Sequence, residues 1–497
     1  MLLLGIDIGT SFIKVSVVDS DSAKCIAQVS YPDAEIPIIS IKSGWAEQSP
    51  EMWWQHVQIA ILKANATKKY NPEDIGAIGI AYQMHGLVLV DKYKNELRNS
   101  IIWCDSRAVE IGNDASDAIG KDKCLEHLLN SPGNFTASKL AWVKENEPDI
   151  YSKIDTVMLP GDYIAMKLTG QVTTTISALS EGIFWDFKKN ELSEDVLNYF
   201  GFSKQMFPTL NNVFSIHGTL TSKVATELSL NSNIPVSYKA GDQQNNALSL
   251  NVLEPGDVAA TAGTSGVIYG VTDKLTYDNL SRVNTFAHVN HSCDLNRLGV
   301  LLCINGTGIM NSWIKKVAGV NLSYHQIDLH ASAIKEGSDG LSIFPFGNGA
   351  ERMLNNKTIG AHINQIDLNK HTAAHIFRVA QESIAYAFRY GLDIMLSNGM
   401  NIANIRAGRA NMFNSRVFID AFVNTTNINL SLYNSDGSVG AAIGAGIGAG
   451  IYKDNKEAFA GFVPLETIKP TKANLYNTFY EEWKFELEKL IDNQSNK

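Results

Sequence analysis

The sequence predicts an α/β protein built as two domains around a cleft, and three observations predict it. Strand-like and helix-like runs alternate from the first residues onward, the pattern of mixed α/β layers and not of strands followed by helices. The chain has 497 residues, too many for one typical core, so two domains of similar size are expected. The tripeptide Gly-Thr-Ser occurs at Gly9–Ser11 and again at Gly263–Ser265, near the start of each half.

Taken in order, Met1-Leu-Leu-Leu meets Asp7 almost at once, so it is a first strand and not a signal segment. Leu4–Asp19 reads as a β-hairpin with its tight turn at Gly9–Ser11 and its return strand over Val15–Val18. Ser49 as N-cap, Pro50 at the first helical position and acidic Glu51 open a helix over Glu51–Asn65, with Met52, Trp53, Val57, Ala60 and Ile61 on one face. A strand over Ile75–Ala81 runs straight into Gln83, Met84 and His85. Pro235–Gly241 is a short strand leading into a polar run, and a domain boundary is placed there, giving domains 1–240 and 241–497. Val258–Thr272 is a second hairpin around Gly263–Ser265.

Later, Thr372–Leu396 is a long amphipathic helix through Ile376, Val379, Ile384, Phe388 and Leu392. Val439–Tyr452 is the longest uncharged apolar stretch, the length of a buried core helix and not of a membrane span. Its glycines at 440, 444 and 448 clear one face for a neighbouring element or a flat ligand ring. Tyr476–Ile491 places Phe479, Trp483, Leu487 and Leu490 at helical spacing and is expected to dock on the body. No low-complexity linker occurs, which favours two domains hinged about one cleft.

Composition narrows the function class. Hydrophobic residues make up 45% and charged residues 19%, as in a soluble globular enzyme. The net charge of −9 and the lack of any Lys/Arg run argue against a nucleic-acid binder. Five scattered cysteines without a C-x-x-C read as reduced thiols, so a cytoplasmic protein is expected. His288, His291 and Cys293 lie too close together to weigh heavily as a metal site. Neither the P-loop nor the dinucleotide fingerprint occurs.

Several elements bear on chemistry. Turns that aim N–H groups and hydroxyls at one spot bind anions, so two of them facing across a cleft would grip a polyphosphate. Asp7, at a strand end beside the first turn, is placed to hold Mg²⁺ through water while Thr10 and Ser11 meet phosphate oxygens; a solvated hairpin Asp is the alternative. Asp242 follows Gly241 and reads either as a general base for a substrate hydroxyl or as a helix N-cap. Gln83, Met84 and His85 either contact a small polar ligand or serve the fold. Asp105 and Arg107 either pair at the surface or reach the cleft. Arg406-Ala-Gly-Arg-Ala-Asn411 follows another strand-like run in the second half.

Together, and in this order, these motifs resemble the FGGY family of carbohydrate kinases over nearly the whole chain. The resemblance rests on Asp7-Ile-Gly-Thr-Ser11, on Gln83–Gly86, and on Gly241-Asp242 with Ala247. It rests also on Gly263–Gly266, Pro132–Trp142 and Leu159–Ile164, and within the family it is to the xylulose-phosphorylating members. It implies two actin-like, ribonuclease-H-like domains, the first for sugar and the second for nucleotide. It implies ATP-dependent phosphorylation of the terminal hydroxyl of a ketopentose, D-xylulose first, with ribulose, L-xylulose, fuculose, gluconate or glycerol as alternatives. Asp242 and Asp7 become the catalytic pair and the Mg²⁺ site. Gln83, Met84, His85, Asp242, Gln243 and Arg107 become sugar contacts, and Thr10, Ser11, Lys14, Gly263, Thr264, Ser265, Gly408, Arg409 and Asn411 nucleotide contacts. A small-molecule sugar and ATP are the expected partners, without nucleic acid or membrane, and a homodimer is one assembly left open.

Two segments depart from the family pattern. Where members carry Gly-Gly-Gly or Gly-Gly-Ala, this chain has Ala407-Gly408-Arg409-Ala410-Asn411, and Arg409 would crowd or stack on adenine. The Gly-Glu-Arg-Thr-Pro segment becomes Gly349-Ala-Glu-Arg-Met353. An actin-like nucleotide switch and a catalytically silent sugar binder are the rival classes; the retained Asp7 and Asp242 speak against the second.

Overall fold

The computed structural model describes residues 1–495 and contains two large sheets of the same plan. In the first, strand Leu2–Ile8 pairs antiparallel with Ile13–Asp19, which pairs antiparallel with Cys25–Tyr31. On its other side it pairs parallel with Ile75–Tyr82, which pairs parallel with Pro235–Gly241; Phe214–Thr219 closes the edge. The second sheet repeats this: Asp257–Ala262, Gly266–Thr272 and Leu298–Ile304 form the antiparallel meander. Asn404–Gly408 and then Leu430–Tyr433 continue in parallel from Asp257–Ala262, with Asn284–Ala287 and Glu466–Ile468 at the edges. The two Gly-Thr-Ser turns therefore occupy the same topological place, the first hairpin of each sheet.

Local signals explain the elements around these sheets. Leu3, Leu4, Ile6 and Ile8 are fully buried, as expected of a strand covered on both faces. Gly9 N–H donates to Phe12 O at 3.0 Å and closes the first turn. The Ser49 hydroxyl accepts Met52 N–H at 3.2 Å, with Pro50 first in the helix Pro50–Ala66. The long helix Ala373–Ser397 and the last helix Ala473–Ser495 form on the expected segments, and Tyr476, Tyr480, Trp483 and Leu487 are buried in the second core.

The glycine-spaced stretch forms helix Gly437–Gly448, and it packs not on its own sheet but on the first. A Cβ on Gly5 would lie 1.8 Å from Ser438 O, and one on Gly79 2.0 Å from Ala441 O. From the helix side, Gly444 faces the Tyr238 ring at 2.6 Å and Gly448 faces Ser237 O at 1.8 Å from such a Cβ. Close packing on the backbone of the first sheet and on the Tyr238 ring is thus the reason for the glycines, and it leaves no room for a flat ligand ring on that face. The strands of the first sheet end at Gly241 and those of the second begin at Asp257, but this helix crosses any boundary drawn at 240/241.

Candidate active site

The first turn is braced by a network of side chains. Thr10 Oγ1 donates to Gln83 Oε1 at 3.1 Å and accepts the Trp103 indole N–H at 2.9 Å. Gln48 Nε2 donates to Thr10 O at 2.8 Å, and Gln48 Oε1 accepts from Gln83 Nε2 at 3.1 Å and Trp53 Nε1 at 3.0 Å. Gln83 is buried and its amide is engaged within this network, so it supports the turn instead of facing the cleft. Ser11 keeps its hydroxyl out of the network. Lys14, opposite Asp7 in the hairpin, reaches Asp436 at 3.3 Å, the N-cap of the glycine-spaced helix.

Asp7 and Asp242 meet where the two halves meet. Asp7 ends the first strand; Asp242 is the first residue of helix Asp242–Ser249, for which Gly241 is the cap. Gly241, and not Asp242, holds the N-cap position, so the N-cap reading fails. Asp7 and Asp242 are both half-buried. Burial pushes Asp7 up to about 6, with Lys14 pulling the other way and Asp436 adding to the rise. Burial, and then the charge of Asp7, push Asp242 up to about 7, against hydrogen bonding from Gln243. Two desolvated carboxylates, one of them raised further by the charge of the other, are a site short of positive charge. Their oxygen-only donors suit a Mg²⁺ ion that completes its shell with water and phosphate.

Beside Asp242, Met84 is buried and lies 2.8 Å from where a Cβ of Gly241 would be. His85 adopts a left-handed backbone, φ 60°, uncommon for a residue other than glycine. Its carbonyl accepts Lys139 Nζ at 2.9 Å, and the same buried ammonium reaches Ile102 O at 3.0 Å. His85 Nδ1 meets Glu181 O at 2.9 Å. A carbonyl only accepts, so Nδ1 carries the proton and Nε2 offers a lone pair to the cleft. Burial, then the Lys139 charge, push the imidazole down to about 3, so it stays neutral. Its ring packs edge-on to Phe135 at 4.8 Å and tilted to Phe286 at 5.4 Å. Glu181 is fully buried, receives Tyr82 O–H at 2.7 Å, and is held well above the usual carboxylate range by burial.

Arg107 neither pairs at the surface nor reaches the cleft. Its guanidinium is buried against Asp105 at 2.7 Å and Glu47 at 2.7 Å, and lies over the Trp45 and Trp142 rings. This corrects the expectation of a sugar contact: every charge it carries is already met.

The second turn opens on a cavity of about 710 Å³ lined by Gly263, Thr264 and Asn411, together with Gly308, Asn311, Lys316, Tyr324 and Gln381. That volume lies within the range of small-molecule sites. Gly308 N–H donates to Gly263 O at 3.0 Å and Ile309 N–H to Thr264 O at 3.1 Å, so helix Gly308–Ala318 holds the turn rigid. Thr264 and Ser265 are exposed. Gly408 and Arg409 lie beside the cavity without lining it. Arg409 is drawn to Glu466 at 3.6 Å, away from the cavity lining. A Cβ on Gly408 would come no nearer than 3.9 Å to Ser435 O.

The remaining expectations resolve simply. His288 is bound by the Tyr269 hydroxyl at 2.9 Å and by Val252 O at 3.0 Å. No group of three His, Cys, Asp or Glu side chains placed to hold a metal occurs among the described residues, and no described helix is long and apolar enough to cross a membrane. Lys139, Trp103, Glu181 and Arg352 were not singled out from the sequence as site residues. Lys139 lies inside Pro132–Trp142 and Arg352 inside Gly349–Met353, but nothing in their spacing marks them as neighbours of His85.

Comparison with known proteins bears on the family and the fold. Residues 2–249 match the family model of the N-terminal domain of the FGGY family of carbohydrate kinases. The xylulose kinase of Bacillus subtilis (strain 168) is 28% identical over 432 residues, covering 84% of each chain. The fold matches the crystal structure of xylulose kinase from Rhodospirillum rubrum, with a TM-score of 0.88 at 24% identity over 99% of each chain. It also matches that of gluconate kinase from Lactobacillus acidophilus, with a TM-score of 0.88 at 20% identity over 99% of this chain and 98% of that one.

Proposed function

The chain belongs to the FGGY family of carbohydrate kinases, and from that premise we propose that this ATP-dependent sugar kinase acts on the terminal hydroxyl of a ketopentose, D-xylulose. The observation that carries the reading is Asp242. Its carboxyl sits at the cleft with a pKa raised to about 7, where a general base works best near neutral pH. The ionised carboxylate takes the proton of the attacking hydroxyl. Asp7 faces it, and His85 accepts a hydrogen bond from another sugar hydroxyl through Nε2. Met84 packs against the sugar.

On this reading the sugar belongs to residues 1–240 and the nucleotide to residues 241–497, in the cavity beside Gly263, Thr264 and Asn411. Thr10, Ser11, Thr264 and Ser265 offer hydroxyls to the phosphates from opposite sides. Mg²⁺ bound near Asp7 and Asp242 supplies charge neutralisation at the phosphoryl group. What remains for the protein is positioning and exclusion of water as a competing acceptor.

The choice of D-xylulose is supported by the names of the full-length relatives, and a gluconate kinase of the same fold is the reason to test it. Turnover of D-xylulose, ribulose, L-xylulose, fuculose, gluconate and glycerol should be compared by coupled ADP detection. D-xylulose should have the highest kcat/KM. Selective use of another acceptor would overturn the choice, and fast ATP hydrolysis without any sugar would favour a nucleotide switch.

A further inference from the structure

We propose that Arg352 is a specificity-determining residue that hydrogen-bonds the carbonyl oxygen of an open-chain ketose acceptor; this rests on the ketopentose reading above. Arg352 opens the short helical turn Arg352–Leu354 in the second half of the chain. Its backbone is fixed on both sides. Glu351 accepts Asn305 N–H at 2.9 Å, and Met353 and Leu354 are buried in the core. Arg352 Nη1 donates to Asn284 Oδ1, and Asn284 Nδ2 donates in turn to Asn130 Oδ1 of the first half at 2.9 Å. On the same strand Phe286 packs against the His85 ring. Arg352 and His85 thus come from opposite halves to one place, near enough that the Arg352 charge helps depress His85.

Nothing among the described residues neutralises this guanidinium. Asn284 is its one hydrogen-bond acceptor there, no carboxylate forms an ion pair with it, and burial lowers its pKa. By contrast, the arginines whose side chains are buried are paired with carboxylates: Arg98 with Glu47 and Glu147, Arg107 with Asp105 and Glu47, and Arg378 with Glu382. The Arg352 side chain is half-buried, and none of its nitrogens is sealed away from solvent without a partner. The donors that Arg352 leaves free beside His85 are therefore open to a ligand that enters the cleft.

The acceptor's own chemistry says which atom that is. A 2-ketopentose closes its ring only through O5, and O5 is the hydroxyl to be phosphorylated. The reacting sugar must therefore be open-chain, with a free carbonyl at C2. With O5 at Asp242, that carbonyl lies toward the other end of the carbon chain, on the side of His85. A carbonyl oxygen needs a donor. His85 Nε2 is an acceptor and cannot serve, whereas the guanidinium of Arg352 can.

The test compares D-xylulose with xylitol and D-arabinitol, in which the carbonyl is replaced by a hydroxyl, for the unaltered enzyme, Arg352→Met and Arg352→Lys. Loss of a charge-assisted bond should lower kcat/KM for D-xylulose about 10- to 100-fold in Arg352→Met. The weaker turnover of the pentitols should change much less, so the ketose-to-pentitol ratio collapses. Arg352→Lys keeps the charge without the planar fork and should fall between. Because the ratio is internal to each variant, it holds even for a variant of lowered stability. An equal loss on ketose and pentitols, in either variant, would overturn the proposal while leaving the ketopentose reading intact. No turnover of any ketopentose by the unaltered enzyme would overturn both.

Discussion

Replacing Asp242 by Asn should remove most of the turnover and, at the same time, make the protein more stable. In the folded chain Asp242 keeps its proton up to about 7, against an ordinary value of 3.8. Between those two values the folded state binds a proton that the unfolded state has released, so the parent loses stability as pH rises and stops losing it above about pH 7. At about 1.4 kcal/mol per pH unit the gap sets a ceiling of about 4 kcal/mol. Asp242 retains some contact with solvent, so the gain expected from Asn is about 1–2 kcal/mol. Asn fills the same space and cannot ionise.

The assay is thermal unfolding of parent and variant at pH 5 and pH 8, in chelator and without nucleotide. The advantage of the variant should be at least about twice as large at pH 8 as at pH 5. In parallel, turnover of the best acceptor should fall about 10²- to 10⁴-fold, with nucleotide still bound. A variant that is equally stable relative to the parent at both pH values would refute the placement of a desolvated carboxyl at the cleft. Near-normal turnover would refute the general base.

Three further outcomes follow from the geometry. Lys139→Met frees the carbonyls of His85 and Ile102, and should raise KM for the sugar about tenfold with KM for ATP unchanged; equal effects on both substrates would contradict a positioning role. Gly5→Ala forces a methyl group against Ser438 O and should cost about 3 kcal/mol, read as a clear fall in the unfolding midpoint. An unchanged midpoint would mean that the glycine-spaced helix is not seated as described. Arg409→Ala should leave KM for ATP within about twofold, because the guanidinium is directed to Glu466 and not into the cavity; a large change would place it on the nucleotide.

The parts of the fold that depend on local pattern were legible in the sequence. The Ser49-Pro50-Glu51 start, the long helix through Ile376 and Leu392, and both Gly-Thr-Ser hairpins follow from capping, periodicity and turn chemistry acting over a few residues. Asp7 and Asp242 could be proposed because each ends or follows a strand beside glycine. What the sequence did not disclose depends on partners far away in the chain. Arg107 looks free until Glu47 and the rings of Trp45 and Trp142 close over it. Gln83 looks like a ligand contact until Gln48 and Thr10 take up its amide. Lys139 reads as one polar position in a helix, and only the folded chain sets its ammonium between His85 O and Ile102 O. Arg409 was expected to crowd or stack on adenine, and a glutamate more than fifty positions later draws it to one side.

The helix Gly437–Gly448 has a consequence for how this chain can be divided. It is made late in synthesis, yet it covers a face of the sheet whose strands are made first, at contacts so close that only a missing side chain permits them. A nascent chain released after residue 249 would expose Leu3, Ala77, Ala81 and Tyr238 to water. The early half must wait, unfinished, for a segment nearly two hundred residues away. A gene cut between the halves should yield two insoluble products, and co-expression of the pieces should restore what neither one can bury alone.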